Sequence, residues 1–147
     1  MVRAGDCNFF YGKGNENHQL ETVFFVHHRI VSAAKRVEFI SYRVSYIVLR
    51  GCWCNFIVLN VHASSEEKND DSKDSFYEEL QQVFDNFPKC HMKILLGDCN
   101  AKVGSENVFK PKIGNDSLHQ DSNDNGIRIV KFATSKNVVV KSAMFPH

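Results

Sequence analysis

The sequence predicts a mixed α/β (α+β) protein, a layered sandwich of mostly antiparallel sheets flanked by helices. Strand-like segments dominate the early part of the chain, and helical patterns fall between later strands, an order that suits this architecture. Of the 147 residues, 43% are hydrophobic and twelve are Phe, which predicts a substantial aromatic core. The length suits one compact domain, so we assign residues 1–147 to a single domain.

The first half of the chain is predicted to consist of strands and turns. Residues 1–21 are expected to be irregular, because Gly and Asn recur between residues 11 and 18. Hydrophobic patterning predicts a strand over 23–30 and two strands within 36–49, divided near Ser41 and Tyr42. Gly51 indicates a hairpin turn into a strand over 54–61, which we expect to be central and covered on both faces because 56–59 are all apolar.

The second half predicts two helices and two strands. After an acidic loop over 64–73, Ser75 and Glu78 form a capping-box pattern for a helix that Pro88 terminates. Its apolar residues recur at helical spacing: Phe76, Leu80, Val83, Phe84 and Phe87. Residues 92–96 predict a buried strand, followed by a long loop over 102–122.

A second helix is predicted over 127–135, with Asn123 or Asn125 as its N-cap. Ile129, Phe132 and Ala133 should face inward. Asn137 is a suitable C-terminal stop, and a last strand is expected over 138–141.

Charge and cysteine content narrow the class of protein. The net charge of +1 gives no global bias toward nucleic acid. Residues 29–50 carry five basic side chains and one acidic one, which could contact phosphate, but we favour solvated strand faces. Five cysteines without a C-x-x-C pair predict reduced, mostly buried thiols in a nuclear or cytoplasmic protein. No apolar run is long enough to span a membrane, and no secretory signal is visible.

The most informative segment is the run from Ile94 to Gly104, in which a strand-like stretch ends in Gly97, Asp98, Cys99 and Asn100. Asp98 and Asn100 lie two residues apart, so their side chains point to the same side if the strand stays extended. A carboxylate can bind a hard cation or accept a proton, and a carboxamide can donate to a phosphate oxygen. The alternative is a strand followed by an Asx turn.

This segment resembles the G-D-F-N motif of the endonuclease/exonuclease/phosphatase superfamily. The sequence from Gly97 to Gly104 is most similar to the endonuclease domains of non-LTR retrotransposons and to the craniofacial development protein 2-like sequences derived from them. Segments at 24–29, 58–63 and 123–126 are also similar and occur in the order of the family, so the resemblance extends over essentially the whole chain.

The resemblance implies a Mg²⁺-dependent endonuclease that nicks DNA. Asp98 would orient or deprotonate the attacking water with a divalent metal nearby, and Asn100 would contact the scissile phosphate. His62 follows a predicted strand where relatives carry Tyr or His, and it would either hold the phosphate or be an exposed loop residue. The segment Asn123-Asp124-Asn125 is expected chiefly to cap a helix, with a smaller chance of a part in the site.

Other features of the family pattern are missing. The chain lacks the early metal-binding Asn and Glu and the terminal Asp and His, so we expect it to be truncated at both ends and, alone, to have little or no activity. Cys99 stands where relatives carry Phe, and Ser64 stands where they carry Pro. Both substitutions are typical of a copy of the domain that is under weak selection. A non-catalytic binding module or pseudogene remnant, and a phosphomonoesterase, are the alternatives. His27 and His28 are adjacent and should point to opposite faces of a strand, so we do not expect them to bind a metal together.

Overall fold

A computed structural model describes residues 2–11, 23–63, 69–100, 123–136 and 138. The chain divides into two compact units. The first comprises Met1–His62 and Phe84–Gly97, and the second comprises Ala63–Val83 and Asp98–His147. The first unit contains both sheets, except that the last strand ends on Asp98, and the second contains most of the residues of the two longer helices.

The first sheet has three antiparallel strands in the order β1 (Val2–Ala4), β2 (Cys7–Phe10) and β3 (Phe24–His27). The prediction that residues 1–21 are irregular was therefore wrong at its start. Gly5, with a φ of 61°, allows the tight turn between β1 and β2. The predicted strand over 23–30 is also shorter, because the chain enters a short helix, α1 (His28–Val31), directly after β3.

The second sheet has four strands in the order β4 (Ala34–Phe39), β5 (Val44–Leu49), β6 (Phe56–His62) and β7 (Met92–Asp98). The two strands predicted within 36–49 are confirmed as β4 and β5, with the break at residues 40–43. β4, β5 and β6 pair antiparallel. The predicted hairpin turn at Gly51 lies in a longer connection that occupies residues 50–55.

β7 runs parallel to β6. Met92 N–H donates to Asn55 O (3.2 Å) where both strands begin, and Ala63 N–H donates to Asp98 O (2.8 Å) where both end. The helix α2 (Asp70–Asp85) therefore belongs to a β–α–β connection. β6 is central, as predicted.

One face of β6 is buried, and the opposite face is partly open. Ile57, Leu59 and Val61 are fully buried, whereas the alternating residues are half-buried or exposed, so coverage on both faces was overpredicted. The strand predicted over 92–96 is confirmed as β7, but it is not buried: Met92 is 53% exposed and Leu96 54% exposed. An apolar sequence alone does not show whether a neighbouring layer covers it.

Helix α2 begins six residues earlier than predicted, with its N-cap at Asn69 and not at Ser75. Asn69 caps it, since Ser72 N–H donates to Asn69 Oδ1 (2.9 Å), and the acidic residues Asp70 and Asp71 occupy its first turn. The predicted core residues Phe76, Leu80, Val83 and Phe84 are buried, as expected. Phe87, beyond the end of the helix, lies edge-on to Tyr46, with ring centroids 4.8 Å apart.

Helix α3 (Asp124–Lys136) confirms the second predicted helix. Asn123 is its N-cap, because Gly126 N–H donates to Asn123 Oδ1 (2.8 Å). Ile129, Phe132 and Ala133 are buried as predicted. Val138 N–H bonds to Ala133 O (2.8 Å) beyond the helix end. The predicted loop over 102–122, the stop at Asn137, position 64 and residues 139–141 of the last predicted strand lie outside the described residues.

The fold class is confirmed: the chain has mixed α and β content, with two mostly antiparallel sheets and the helices that an α+β sandwich requires. None of the described helices has the length and apolar character needed to cross a bilayer.

Candidate functional site

Asp98 is an exposed carboxylate at the end of β7. One of its oxygens, Oδ1, accepts the Asn100 N–H at 2.7 Å, which makes residues 98–100 an Asx turn. Asp98 makes no side-chain hydrogen bond through Oδ2 to any other described residue. The structure therefore contains the Asx turn that was the alternative interpretation of this segment. Among the described residues, none donates to the second carboxylate oxygen, Oδ2, which is open to a ligand.

Asn100 does not continue the strand. Its φ is 46°, in the left-handed region that Asn adopts more readily than most residues, so the extended geometry that would align it with Asp98 is absent. Its side-chain Nδ2 donates to Ala63 O at 2.8 Å. One hydrogen of that amide is thus used to hold the backbone, and none of the described residues accepts the other.

Gly97 explains why the motif needs glycine before Asp98. Its φ is 127°, and a Cβ placed on it would lie 1.9 Å from Val61 O. Both the backbone conformation and the close approach to β6 exclude a side chain. Gly97 was predicted only as the end of a strand. A glycine at the end of an apolar, strand-like run was the available signal for close backbone contact.

The start of α3 is attached to the Asp98–Asn100 turn. Asn123 Nδ2 donates to Asn100 O at 3.1 Å, and Asn125 Nδ2 donates to the same oxygen at 3.2 Å. The segment 123–125 was predicted mainly to cap a helix. The structure shows that it does so and that it also contacts the turn, a connection that sequence spacing could not reveal.

His62 ends β6 in the first unit, whereas Asp98 and Asn100 belong to the second. Its side chain is half-buried, and its N–H donates to Arg43 O at 2.9 Å in the β4–β5 connection. The Arg43 guanidinium lies 4.7 Å from the centre of the Tyr42 ring. A role of His62 in binding phosphate stays a prediction from the sequence.

Cys99 lies between Asp98 and Asn100 and is half-buried. Burial, with a smaller contribution from the Asp98 charge, raises the pKa of its thiol to about 11. All five cysteines are free; Cys52 and Cys90 are exposed, so the thiols are less buried than predicted. Cys99 is therefore protonated near neutral pH and is a poor nucleophile.

Beside the turn, an ion-pair network joins α2 and α3 within the second unit. Lys73, only 5% exposed, donates to Asp124 at 3.0 Å. Arg128 contacts Asp124 at 2.9 Å and also pairs with Asp74 and Asp70. Lys73 first and Arg128 second hold the pKa of Asp124 below its ordinary value. This network is structural, because its carboxylates are already paired with cations.

His27 and His28 differ from the prediction. Because β3 ends between them, their rings do not point to opposite faces but lie 4.3 Å apart. His27 Nδ1 accepts the Arg29 N–H at 3.3 Å, and His28 Nδ1 lies 3.0 Å from Asp6 O. These backbone contacts fix α1 against the β1–β2 turn.

The described residues do not form a metal site by themselves. Among them, no three His, Cys, Asp or Glu side chains are grouped so that they could hold an ion. Asp98 offers one open carboxylate oxygen, whereas Mg²⁺ prefers six oxygen ligands. A cation at Asp98 would need the rest from water, from a phosphate or from residues outside the described ranges.

Comparison with known proteins gives distant relatives of one kind. The chain is 26% identical over 141 residues to craniofacial development protein 2 of Bos taurus, and equally similar to the protein of the same name from Tragulus javanicus. Each alignment covers 95% of this chain but 24% of the relative, so the chain spans about a quarter of the length of these relatives. No family model matches the sequence, and no solved structure gives a significant match.

Proposed function

We propose that this chain is part of a DNA endonuclease-type domain of the endonuclease/exonuclease/phosphatase superfamily, of retrotransposon origin. The observation that carries the proposal is the Asp98 carboxylate, which is exposed at the end of a strand and held through one oxygen only. The distant similarity to craniofacial development protein 2, which extends over 95% of the chain, supports it. A DNA substrate would place the chain in the nucleus or the cytoplasm.

In this proposal Asp98 Oδ2 orients or deprotonates the water that attacks phosphorus. The carboxylate cannot rotate freely, because Oδ1 accepts the Asn100 N–H, and a fixed base reduces the entropy cost of reaching the transition state. Asn100 would donate its remaining amide hydrogen to a phosphate oxygen. A role of His62 in holding phosphate is what the resemblance implies.

Mg²⁺ is the cofactor that the superfamily implies. When bound, it would supply charge stabilisation for the phosphate oxygens. Asp98 is the described residue suited to hold it, but Asp98 alone does not fit a complete site. We therefore expect slow cleavage, far below that of a complete enzyme, and we assign no step to the ion.

A second candidate is a non-catalytic nucleic-acid or protein binding module. Two observations favour it: one amide hydrogen of Asn100 is bound to Ala63 O, and no potential three-ligand metal group exists among the described residues. In this case the turn would be retained for its structure, and Asp98 would have no chemical role.

Relaxation of supercoiled plasmid DNA decides between these candidates, after circular dichroism has shown that each variant is folded. We expect slow nicking that needs Mg²⁺, is abolished by EDTA and is lost in Asp98→Asn. This substitution preserves an oxygen that can accept the Asn100 N–H, so it removes the charge without removing the turn. Asp71→Asn is the matched control, because Asp71 is an exposed carboxylate in the first turn of α2 that makes no hydrogen bond to residues 98–100.

Three results would change the proposal. A folded wild-type chain that does not nick DNA would refute the slow cleavage proposed for this chain, and fluorescence anisotropy with labelled DNA would then test the binding module. Equal nicking by Asp98→Asn would show that Asp98 is not the reacting carboxylate or that the activity is a contaminant. Release of phosphate from an inositol phosphate, without nicking, would indicate a phosphomonoesterase.

A further inference from the structure

The carbonyl oxygen of Asn100 accepts two side-chain amides from the start of one helix. Asn123 Nδ2 lies 3.1 Å from it and Asn125 Nδ2 lies 3.2 Å from it. A carbonyl has two lone pairs, so these two donors account for its full capacity.

The residue held in this way has an uncommon backbone conformation. Asn100 has a φ of 46°, in the left-handed region that few non-glycine residues occupy. Its N–H is bound to Asp98 Oδ1, and its side chain is bound to Ala63 O. Contacts on its amide, its side chain and its carbonyl together fix this conformation.

The two donors are themselves rigid. Asn125 is 1% exposed, and its own backbone oxygen accepts the Tyr77 hydroxyl at 3.4 Å. Asn123 is fixed because its Oδ1 caps α3 through Gly126 N–H. A buried amide is costly unless it is hydrogen-bonded, so burial at Asn125 requires a partner such as the Asn100 carbonyl.

We propose that Asn123 and Asn125 are positioning residues that set the orientation of the Asp98 carboxylate through Asn100. Loss of their amides would let residue 100 leave the left-handed region, and the N–H that holds Asp98 Oδ1 would move with it. The catalytic consequence rests on the proposed endonuclease function; the structural link between α3 and the turn does not.

Two substitutions test the link. Asn125→Ala removes one donor but leaves a small buried space. Asn123→Ser is milder, because a serine oxygen can still cap α3 while the donor to Asn100 is lost. Ser135→Ala is the matched control: it removes the side-chain hydrogen bond from Ser135 to Phe132 O (2.8 Å) at the far end of the same helix.

The readouts are plasmid nicking and the ¹⁵N-resolved signals of the Asn100 backbone and side-chain amides. We expect Asn125→Ala to lower kcat about 10- to 100-fold with KM for DNA nearly unchanged, as a misplaced catalytic group does, and Asn123→Ser to lower it several-fold. Both variants should shift the Asn100 amide signals, whereas Ser135→Ala should leave kcat and these signals as in the wild type.

Each outcome is decisive. Unchanged Asn100 signals in folded Asn123→Ser and Asn125→Ala would overturn the link, and shifted signals with wild-type kcat would overturn the positioning role. If Asn125→Ala does not fold, Asn123→Ser decides alone. A wild-type chain without nicking activity would refute the endonuclease proposal, while the Asn100 signals would still decide whether the amides hold the turn.

Discussion

Replacement of Gly97 by Ala should destabilise the chain far more than the same replacement at Gly5. Both glycines have positive φ, 127° at Gly97 and 61° at Gly5. They differ in their surroundings: a Cβ at Gly5 meets no atom within 4 Å, whereas a Cβ at Gly97 would lie 1.9 Å from Val61 O. Gly5→Ala therefore measures the cost of a positive φ without a collision, and Gly97→Ala adds the collision and a less favourable φ.

At Gly5 the left-handed conformation costs an Ala about 1–2 kcal/mol, which the lower entropy of the unfolded chain partly offsets. We expect a net loss of about 1 kcal/mol in the free energy of unfolding. At Gly97 the φ is less favourable for Ala, and β6 and β7 would have to separate by roughly an ångström. Strain of about 1–3 kcal/mol and a similar cost for the forced shift predict a loss of about 3–5 kcal/mol.

Urea unfolding followed by circular dichroism measures both losses. With a slope of about 1–3 kcal/mol per molar urea, Gly5→Ala should lower the midpoint by about 0.5 M and Gly97→Ala by about 2 M. Because domains have a total stability of about 5–15 kcal/mol, the Gly97 variant could be largely unfolded without denaturant. Equal midpoints for the two variants would show that the β6–β7 contact at Val61 is not formed in solution.

Two further predictions concern titratable groups. Because Lys73 and Arg128 lower the pKa of Asp124 below its ordinary value of 3.8, the stabilisation from this carboxylate is present above that pH and is lost as the pH falls below it. Asp124→Asn should therefore lower the urea midpoint at pH 7, and this loss should shrink progressively as the pH is lowered below 3.8. A loss that does not depend on pH would contradict the ion-pair explanation. The Cys99 thiol, with its pKa raised to about 11, should react with a thiol reagent at pH 8 more slowly than the exposed Cys52 and Cys90. The slowest phase should disappear in Cys99→Ser, and a Cys99 that reacts as fast as Cys52 would show that it is not buried.

Sequence patterns predicted the elements whose periodicity is strong and local. Helix α3 was located by apolar residues at helical spacing and by Asn123. Strands β4 and β5 were located by hydrophobic patterning, and β6 by its continuous apolar run. Element starts were less certain: α2 begins at Asp70 because Asn69 and two acidic residues provide an N-terminus that outweighs the capping-box pattern at Ser75. β1 and β2 were missed because Gly5 between them was not read as the centre of a hairpin.

Burial was harder to predict than secondary structure, because burial depends on layers that lie far away in the sequence. β6 and β7 have similarly apolar sequences, yet Leu59 is fully buried and Leu96 is 54% exposed. What separates them is the coverage of their faces: the face of β6 that carries Leu59 is buried, whereas every residue of β7 is half-buried or exposed. Such coverage is set by tertiary packing, which no local pattern encodes.

In the candidate site too, features set by neighbouring residues were predicted, whereas features set by residues distant in the sequence were not. Asp98 was identified from its place after an apolar strand, which is a local property. The acceptor role of the Asn100 carbonyl depends on amides more than twenty residues later, and the need for Gly97 depends on a backbone oxygen of β6. A motif of the form Gly-Asp-x-Asn therefore specifies the residues of the turn. The contacts that fix the turn come from the neighbouring strand β6 and from the start of α3. If the motif alone were sufficient, substitutions at Asn123 and Asn125 would leave the turn unchanged, which is the result that the amide signals of Asn100 would reveal.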